Sequence, residues 1–548
     1  MKSSKQIDLF GDLEPNAVSI DDAAQRLGVS TATIRNWLKT GYLKPAGRAQ
    51  ITEDSLNQFQ TEIAGKEKLN QRANKSLKDS HDHNYIAAAF IDRAQSKDMT
   101  ASSLGEEYET SLSDSYRNKE GIYYTPDEIV CDLLSSPQTD LSLATFCDPC
   151  CGSGNFIIRA LELGFHPENI YGYDVDPVAV EITKARVYQQ SGYQSSNIQK
   201  LDFLSIASDP APRKFDFIYT NPPWGKKLPN KEKRALGNRF KTGSSLDTCS
   251  LFFFACLSCL NGNGTLGLLL PESFFNISTF ESARHKALRL SIERLVDYGK
   301  AFRGLVTKAQ AIVIKNKPGV PNHKVKCESD QKRSERSMTS FSENPKAIFN
   351  LHCGSADADT LEFLRATPHI TLANQASWGL GIVTGNNKKH IKTSPEQGYM
   401  PVFKGSDISA TKLKEPSNYI PCNLDLYQQV APCELFEAKE KLIYKFISSR
   451  LCFFYDQEQR FVLNSANILI PNDDFPVSTN VLGQLLSSDF MNWIFKSIFN
   501  THKILRGDIE LLPIHSQFLR GEYSFDEEKY LTQLQIEKTN DGTYRIKR

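Results

Sequence analysis

Residues 219–225 read Tyr-Thr-Asn-Pro-Pro-Trp-Gly, and the types and order in this run suit one kind of chemistry. Pro222 and Pro223 fix two consecutive φ angles and remove two backbone donors. The residue ahead of a proline is in turn confined to extended geometry. Asn221 and the carbonyls beside it are therefore expected in a rigid turn whose backbone offers acceptors only. Trp224 follows at once and can lie flat against a planar group. The stretch before it, residues 215–219, reads as a buried strand that carries the turn. The arrangement suits gripping an exocyclic amino group on a flat ring.

A second cluster lies upstream, at Phe146-Cys147-Asp148-Pro149-Cys150-Cys151-Gly152-Ser153-Gly154-Asn155-Phe156. It follows a strand and precedes an apolar helix. Gly152 and Gly154 would let backbone amides approach a ligand closely, and the helix N-terminus favours a negative group such as a carboxylate. Phe156 stands near where the third glycine of the dinucleotide fingerprint would fall, which counts against NAD. Asp174 ends the next strand about 20 residues past the glycines, the spacing at which an acid reaches ribose hydroxyls. Asp176 is expected to cap the helix that Pro177 begins. A third strand ends in Asp202-Phe203, where the acid can accept from an adenine amino group while the phenyl ring packs on the base.

Positioning these clusters requires a sheet. Strand patterns at 144–147, 170–173, 198–200, 215–219, 265–270, 292–297 and 309–315 alternate with helical ones, and this predicts a doubly wound α/β fold. Thr125 is expected to cap an amphipathic helix begun by Pro126. Residues 1–62 stand apart, with Ser19 capping a first helix, a second helix over 31–39 that turns Arg35, Asn36 and Lys39 outward, and Thr52 opening a third. This segment resembles a winged helix-turn-helix of the MerR or excisionase type, whose second helix could enter a DNA major groove. Residues 63–103 read as a linker and helix, 104–316 as the α/β domain, 317–369 as a polar insert or connecting region, and 370–548 as a separate α+β domain.

The 548 residues exceed one ordinary core and predict roughly two to four domains. With a formal net charge of +1, any polyanion site must be a local patch. Twelve scattered cysteines fit reduced thiols. The pairs Cys147/Cys150 and Cys256/Cys259 have metal-ligand spacing, yet they fall in the glycine loop and an apolar helical run, so no metal site is expected. No apolar run approaches membrane-spanning length and the N-terminus lacks the apolar core of a signal peptide. A cytoplasmic protein without a membrane partner is the expectation.

Taken in order, Thr125-Pro126, the run from Asp148 to Phe156, Asp174, Asp202-Phe203 and Asn221-Pro222-Pro223-Trp224 resemble the motifs of the gamma-group, TaqI-like adenine-N6 DNA methyltransferases of restriction-modification systems. The resemblance covers residues 100–315 strongly and the C-terminal third more weakly. It implies a Rossmann-like S-adenosylmethionine-dependent methyltransferase sheet, with residues 370–548 as target-recognition domain. Thr125, Asp148, Gly152 and Gly154 would lie near the methionine end of the donor, Asp174 on its ribose, and Asp202 and Phe203 at its adenine. The target adenine would be flipped out of double-stranded DNA. Asn221 and Pro222 would then orient its N6, with Trp224 and Phe302 stacking on its two faces. A solvated basic loop holding Lys226, Lys227, Lys233 and Arg234 would grip phosphates, and Arg35 would serve the helix-turn-helix. In the last third, Lys445, Arg450, Asn464, Asn467, His502, Lys503 and Arg506 are candidates for touching DNA. A cognate restriction endonuclease is the implied protein partner. Two other readings stay open: amino-group methylation of RNA or of protein glutamine, and a DNA-binding regulator with an inactive methylase fold.

Overall fold

The computed structural model describes residues 17–27, 29–39, 42–47, 50–60, 105, 107, 108, 111, 123–135, 140–302, 307–329 and 332–547. The expected linker and helix at 63–103 lie outside them. The chain divides into two compact units, residues 1–239, 258–260 and 302–304 forming the first, and 240–257, 261–301 and 305–548 the second.

The first unit opens on the helix-turn-helix. Strand β1 (Ala17–Ser19), helices α1 (Ile20–Arg26) and α2 (Thr31–Lys39), strands β2 (Pro45–Gly47) and β3 (Gln50–Thr52) and helix α3 (Glu53–Gln58) follow in turn. Ser19 Oγ accepts from the Asp22 amide at 3.0 Å, and Thr52 caps α3 in the same way, so both starts are set by local side-chain acceptors. Ala23, Ile34, Trp37, Ile51, Leu56 and Phe59 form a closed core, in which full burial of each large side chain is worth about 1.5–3 kcal/mol. Arg35 faces outward on α2. The strands lie in the order β1-β3-β2 and supply the wing.

The remainder of this unit is a wound α/β layer. Helix α4 (Asp127–Leu133) leads into β4 (Phe146–Asp148), α5 (Asn155–Glu162), β5 (Ile170–Asp174), α6 (Pro177–Ser191), β6 (Ile198–Lys200), α7 (Phe203–Ala207), β7 (Phe215–Thr220) and α8 (Asn230–Phe240). The strands are parallel and ordered β7-β4-β5-β6. All of β4 is buried, as expected of a parallel strand covered on both faces. The chain winds from β4 out to β6 and then places β7 on the opposite side of β4. The crevice beyond the carboxyl ends of β4 and β7 is thus a topological switch point, where open α/β sheets bind ligands.

In the second unit, β10 (Ala309–Pro318) runs antiparallel to both β8 (Leu260–Pro271) and β9 (Leu290–Asp297). The region 317–369, expected as a polar insert or connecting region, holds regular structure. Strand β11 (Lys324–Ser329) pairs parallel with β9, and β12 (Lys332–Ser337) closes a hairpin on it. Val325 and Cys327 point inward between exposed lysines, so the charge of the outer face hides the period-two pattern. Arg336, only 3% exposed, donates to the Asn350 carbonyl at 2.9 Å and to Asn350 Oδ1 at 3.0 Å, which allows a cation to sit buried on a strand whose Arg333 and Glu335 are exposed. Ile348, Leu361 and Leu364 then share a core with Leu482, Phe490 and Ile494, so the end of this region belongs with the C-terminal fold.

That C-terminal fold is α+β. Strands β13 (Ala376–Leu380), β14 (Tyr399–Phe403), β15 (Tyr419–Pro421), β16 (Lys441–Lys445), β17 (Phe453–Asp456), β18 (Phe461–Val462) and β19 (Ala466–Pro471) make two small sheets, ordered β13-β19-β16-β17 and β15-β14-β18. Two apolar cores lie against them.

Candidate active site

The loop after β4 is shaped by its glycines. Gly152 has φ +51° and Gly154 φ +92°, and a Cβ on Gly154 would come within 2.8 Å of Thr183 Cγ2, so no other residue fits there. Thr183 Oγ1 donates to the Gly152 carbonyl at 2.7 Å. Helix α5 then starts with no capping side chain, which leaves first-turn amides for a ligand. Arg186 braces the loop from α6, donating to the Ser153 carbonyl at 2.7 Å and to Asn155 Oδ1 at 2.6 Å.

Two acids face this loop. Asp174 accepts from the Gly152 amide through Oδ2 and from the Asp176 amide through Oδ1, both at 2.9 Å. Burial pushes its pKa up to about 6 despite these donors. Asp148, 2% exposed, accepts from the Cys150 amide at 3.1 Å, and burial first, with the charge of Asp174 adding to it, raises it to about 7. Among the described residues neither acid has an ion-pair partner. Such a pair suits a ligand that brings hydroxyls and positive charge. Asp176 caps α6 through the Val178 amide at 2.9 Å, and Tyr108 Oη donates to its other oxygen at 2.6 Å. Asp202 likewise caps α7, accepting from the Leu204 amide at 3.0 Å, and stays partly exposed. Phe203 is 1% exposed with its ring 5.9 Å from that of Tyr173, so this phenyl group is a core element in the structure.

Strand β7 delivers the Asn-Pro-Pro-Trp turn to the neighbouring strand end, and Gly225, at φ +68°, closes it. Asn221 Nδ2 donates to the Tyr123 carbonyl at 2.8 Å. Its Oδ1 is buried and has no hydrogen-bond partner, an uncommon state for a buried acceptor. Pro222 is buried behind it. Trp224 and Phe302, 8% and 6% exposed, meet edge to face at 5.1 Å. The Tyr123 ring lies 6.2 Å from Trp224 and 5.7 Å from Phe302. The structure thus brings Phe302 to Trp224 across nearly eighty residues.

The segment from Tyr123 to Pro126 joins the two clusters. Its Thr125 carbonyl accepts from Asn155 Nδ2 at the start of α5, at 2.9 Å, while the Tyr123 carbonyl holds Asn221. Thr125 itself is buried and does not cap α4. Pro126 occupies that cap position, without any side-chain bond, because its fixed φ and extended ψ already give cap geometry. The role of Tyr123 was not apparent from the sequence; the only signal was an aromatic pair just ahead of Thr-Pro. The basic run is also not a single loop. Lys226 and Lys227 precede α8, whereas Lys233 and Arg234 lie on it. Among the described residues no group of three or more His, Cys, Asp or Glu side chains could hold a metal ion, and no described helix is long and apolar enough to cross a membrane.

Comparison with known proteins adds three family matches along the chain. Residues 17–63 match a helix-turn-helix domain, residues 99–297 an N-6 DNA methylase, and residues 400–514 a TaqI-like C-terminal specificity domain. The type II methyltransferase M.VspI of Vibrio sp. (strain 343) is 49% identical over 405 residues, 74% of this chain and 99% of that protein. The type I restriction enzyme MjaIX methylase subunit of Methanocaldococcus jannaschii is 28% identical over 160 residues, 27% of each chain. Among solved structures, the type IIL restriction-modification enzyme MmeI in complex with DNA aligns at TM-score 0.49 and 13% identity, over 78% of this chain and 71% of that one.

Proposed function

The chain belongs to the N-6 DNA methylase family of restriction-modification methyltransferases, and on that premise we propose that it methylates N6 of an adenine flipped out of double-stranded DNA. The donor in this reading is S-adenosylmethionine, and the chain acts in the cytoplasm as the modification partner of a cognate restriction endonuclease. The observation that carries the reading is the buried, unpartnered Asn221 Oδ1 beside the Pro222 carbonyl and the aromatic pair Trp224 and Phe302.

Adenine N6 is a weak nucleophile because its lone pair is conjugated into the ring. Asn221 Oδ1 and the Pro222 carbonyl accept hydrogen bonds from its two N–H groups, draw the nitrogen towards tetrahedral geometry and localise the lone pair. Trp224 and Phe302 stack on the two faces of the base. S-adenosylmethionine, when bound, supplies a methyl group on a positively charged sulfur. Thr125, Gly152 and Gly154 hold its methionine end, and Asp174 accepts from its ribose. Asp202 accepts from its adenine amino group, with Phe203 forming the floor of that pocket. Asp148 offers negative charge to the cationic end, which is the chemistry that an acid held near pKa 7 by burial is suited to relieve. Catalysis is then positioning plus fixed dipoles. Lys226, Lys227, Lys233 and Arg234 grip phosphates around the flipped base, and Arg35 carries a further DNA contact on the helix-turn-helix.

Modification-aware sequencing of DNA from cells expressing the intact chain or Asn221→Ala tests this. One N6-methyladenine motif seen only with the intact chain is the expected result. No difference between the two would refute the reading.

A further inference from the structure

A side-chain amide is nearly symmetric in shape and opposite in chemistry at its two ends. Rotated by half a turn, Asn221 would offer N–H donors to the base pocket and would select a ring carbonyl instead of an amino group. Two prolines set the backbone of the turn but leave this choice open. The group that faces Asn221 is the Tyr123 main-chain carbonyl, 2.8 Å from Nδ2. A carbonyl can only accept, so the reversed amide would press two acceptors together in a buried place and leave its own N–H2 group turned to the pocket. The same segment is anchored two residues later, where Asn155 Nδ2 holds the Thr125 carbonyl at 2.9 Å, so the Tyr123 carbonyl is tied to the start of α5. The Tyr123 ring packs within 6.2 Å of both Trp224 and Phe302. Those two rings meet edge to face in contact, which leaves no parallel slot for a base between them.

We propose that Tyr123 is a positioning residue that makes the catalytic turn selective for an amino group: its carbonyl sets the polarity of the Asn221 amide, and its ring supports the Trp224–Phe302 pair that a base must part. This rests on the adenine-N6 reading above, because that reading supplies the amino group.

The carbonyl role is tested with Asn221→Asp at saturating donor. Near pH 8 the introduced carboxylate would face the Tyr123 carbonyl with no proton between them, and methylation should fall at least about a hundredfold. On acidification one carboxyl oxygen gains a proton, donates it to the Tyr123 carbonyl and leaves the other as acceptor for N6. The ratio of variant to wild-type rate should then rise about tenfold per pH unit until the new carboxyl titrates. Donor binding by calorimetry establishes that the variant is folded. The ring role is tested with Tyr123→Ala, expected to lower kcat more than it raises KM for DNA, and with Tyr123→Phe, expected to recover most of the lost kcat. A folded Asn221→Asp protein whose relative rate stays flat with pH, or a Tyr123→Phe no better than Tyr123→Ala, would overturn the corresponding role. Wild-type protein that methylates no DNA would instead refute the adenine-N6 reading, so the two failures are distinguishable.

Discussion

The Asn-Pro-Pro-Trp turn and a pair of loops in the C-terminal fold are built in opposite ways. At the turn, donors are stripped from the backbone by Pro222 and Pro223, the key acceptor is buried without a partner, and the aromatic rings are almost wholly covered. In the C-terminal fold, residues 446–448 and 502–504 are tied together by the Ser448 amide on the His502 carbonyl at 2.9 Å and the Ile504 amide on the Phe446 carbonyl at 2.8 Å. Ile447 in the first loop is 64% exposed and Leu505, just past the second, 43%, with Lys445, His502 and Lys503 near them in the chain. Chemistry on one atom needs acceptors that are dry and fixed before the substrate arrives. Holding a polyanion needs cations that remain in water and release counterions. The two regions therefore differ in burial as well as in the sign of the charge they present, as the proposed roles would require.

Ion pairing further separates the C-terminal candidates. Arg450 is bonded to Asp489 at 2.9 Å and Arg506 to Glu510 at 3.1 Å, so both charges are partly neutralised. Among the described residues Lys445 and Lys503 have no such partner. Asn467 is 8% exposed on β19, which pairs with both β13 and β16.

Removing the fixed acceptor should have the largest effect. Asn221→Ala is expected to lower the single-turnover methylation rate about 10³-fold with donor affinity little changed. A loss confined to KM would remove the distinction between the two regions. Next in size is the pH dependence of donor binding. Asp148 and Asp174 are raised to about 7 and about 6, and a cationic ligand binds their ionised forms. Affinity should rise with pH through that window, by at most about tenfold per pH unit for each acid. Because both folded-state values lie above the unfolded carboxylate value of about 4, the unliganded protein loses stability as pH rises from there to about 6 and about 7. Calorimetric titrations between pH 5 and 8 check the first statement, and melting curves without ligand the second. Asp174→Asn should remove the part of the dependence centred near 6. The smallest effect is expected at Lys503 in the second loop and at Lys445, the half-buried strand residue just before the first. Lys445→Ala and Lys503→Ala should each reduce the slope of log affinity against log salt by about 0.9, and kcat should fall far less than KM rises.

Much of the fold is legible in the sequence because its signals are local. The caps at Ser19, Thr52 and Asp176, the helix over 31–39 and the strand over 198–200 each depend on residues within a few positions of one another. The hairpin β11–β12 is hidden because one face of it is charged and because a buried Arg336 breaks the rule that cations lie outside. Pro126 defeats a cap rule that assumes a side-chain acceptor. The C-terminal loops are unreadable for another reason, since a lysine that carries an ion pair and one that does not have the same sequence signature.

By itself the amino-acid sequence determined the rigid acceptor turn, the glycine loop and the order in which they occur, since prolines and glycines act on the backbone wherever they stand. Only the tertiary structure decided how the Asn221 amide points and that the Tyr123 ring packs against Trp224 and Phe302. The residue concerned, Tyr123, lies 98 residues before Asn221 in the chain. A hydrogen bond or a ring contact between distant residues exists only after the sheet has brought the strand ends together.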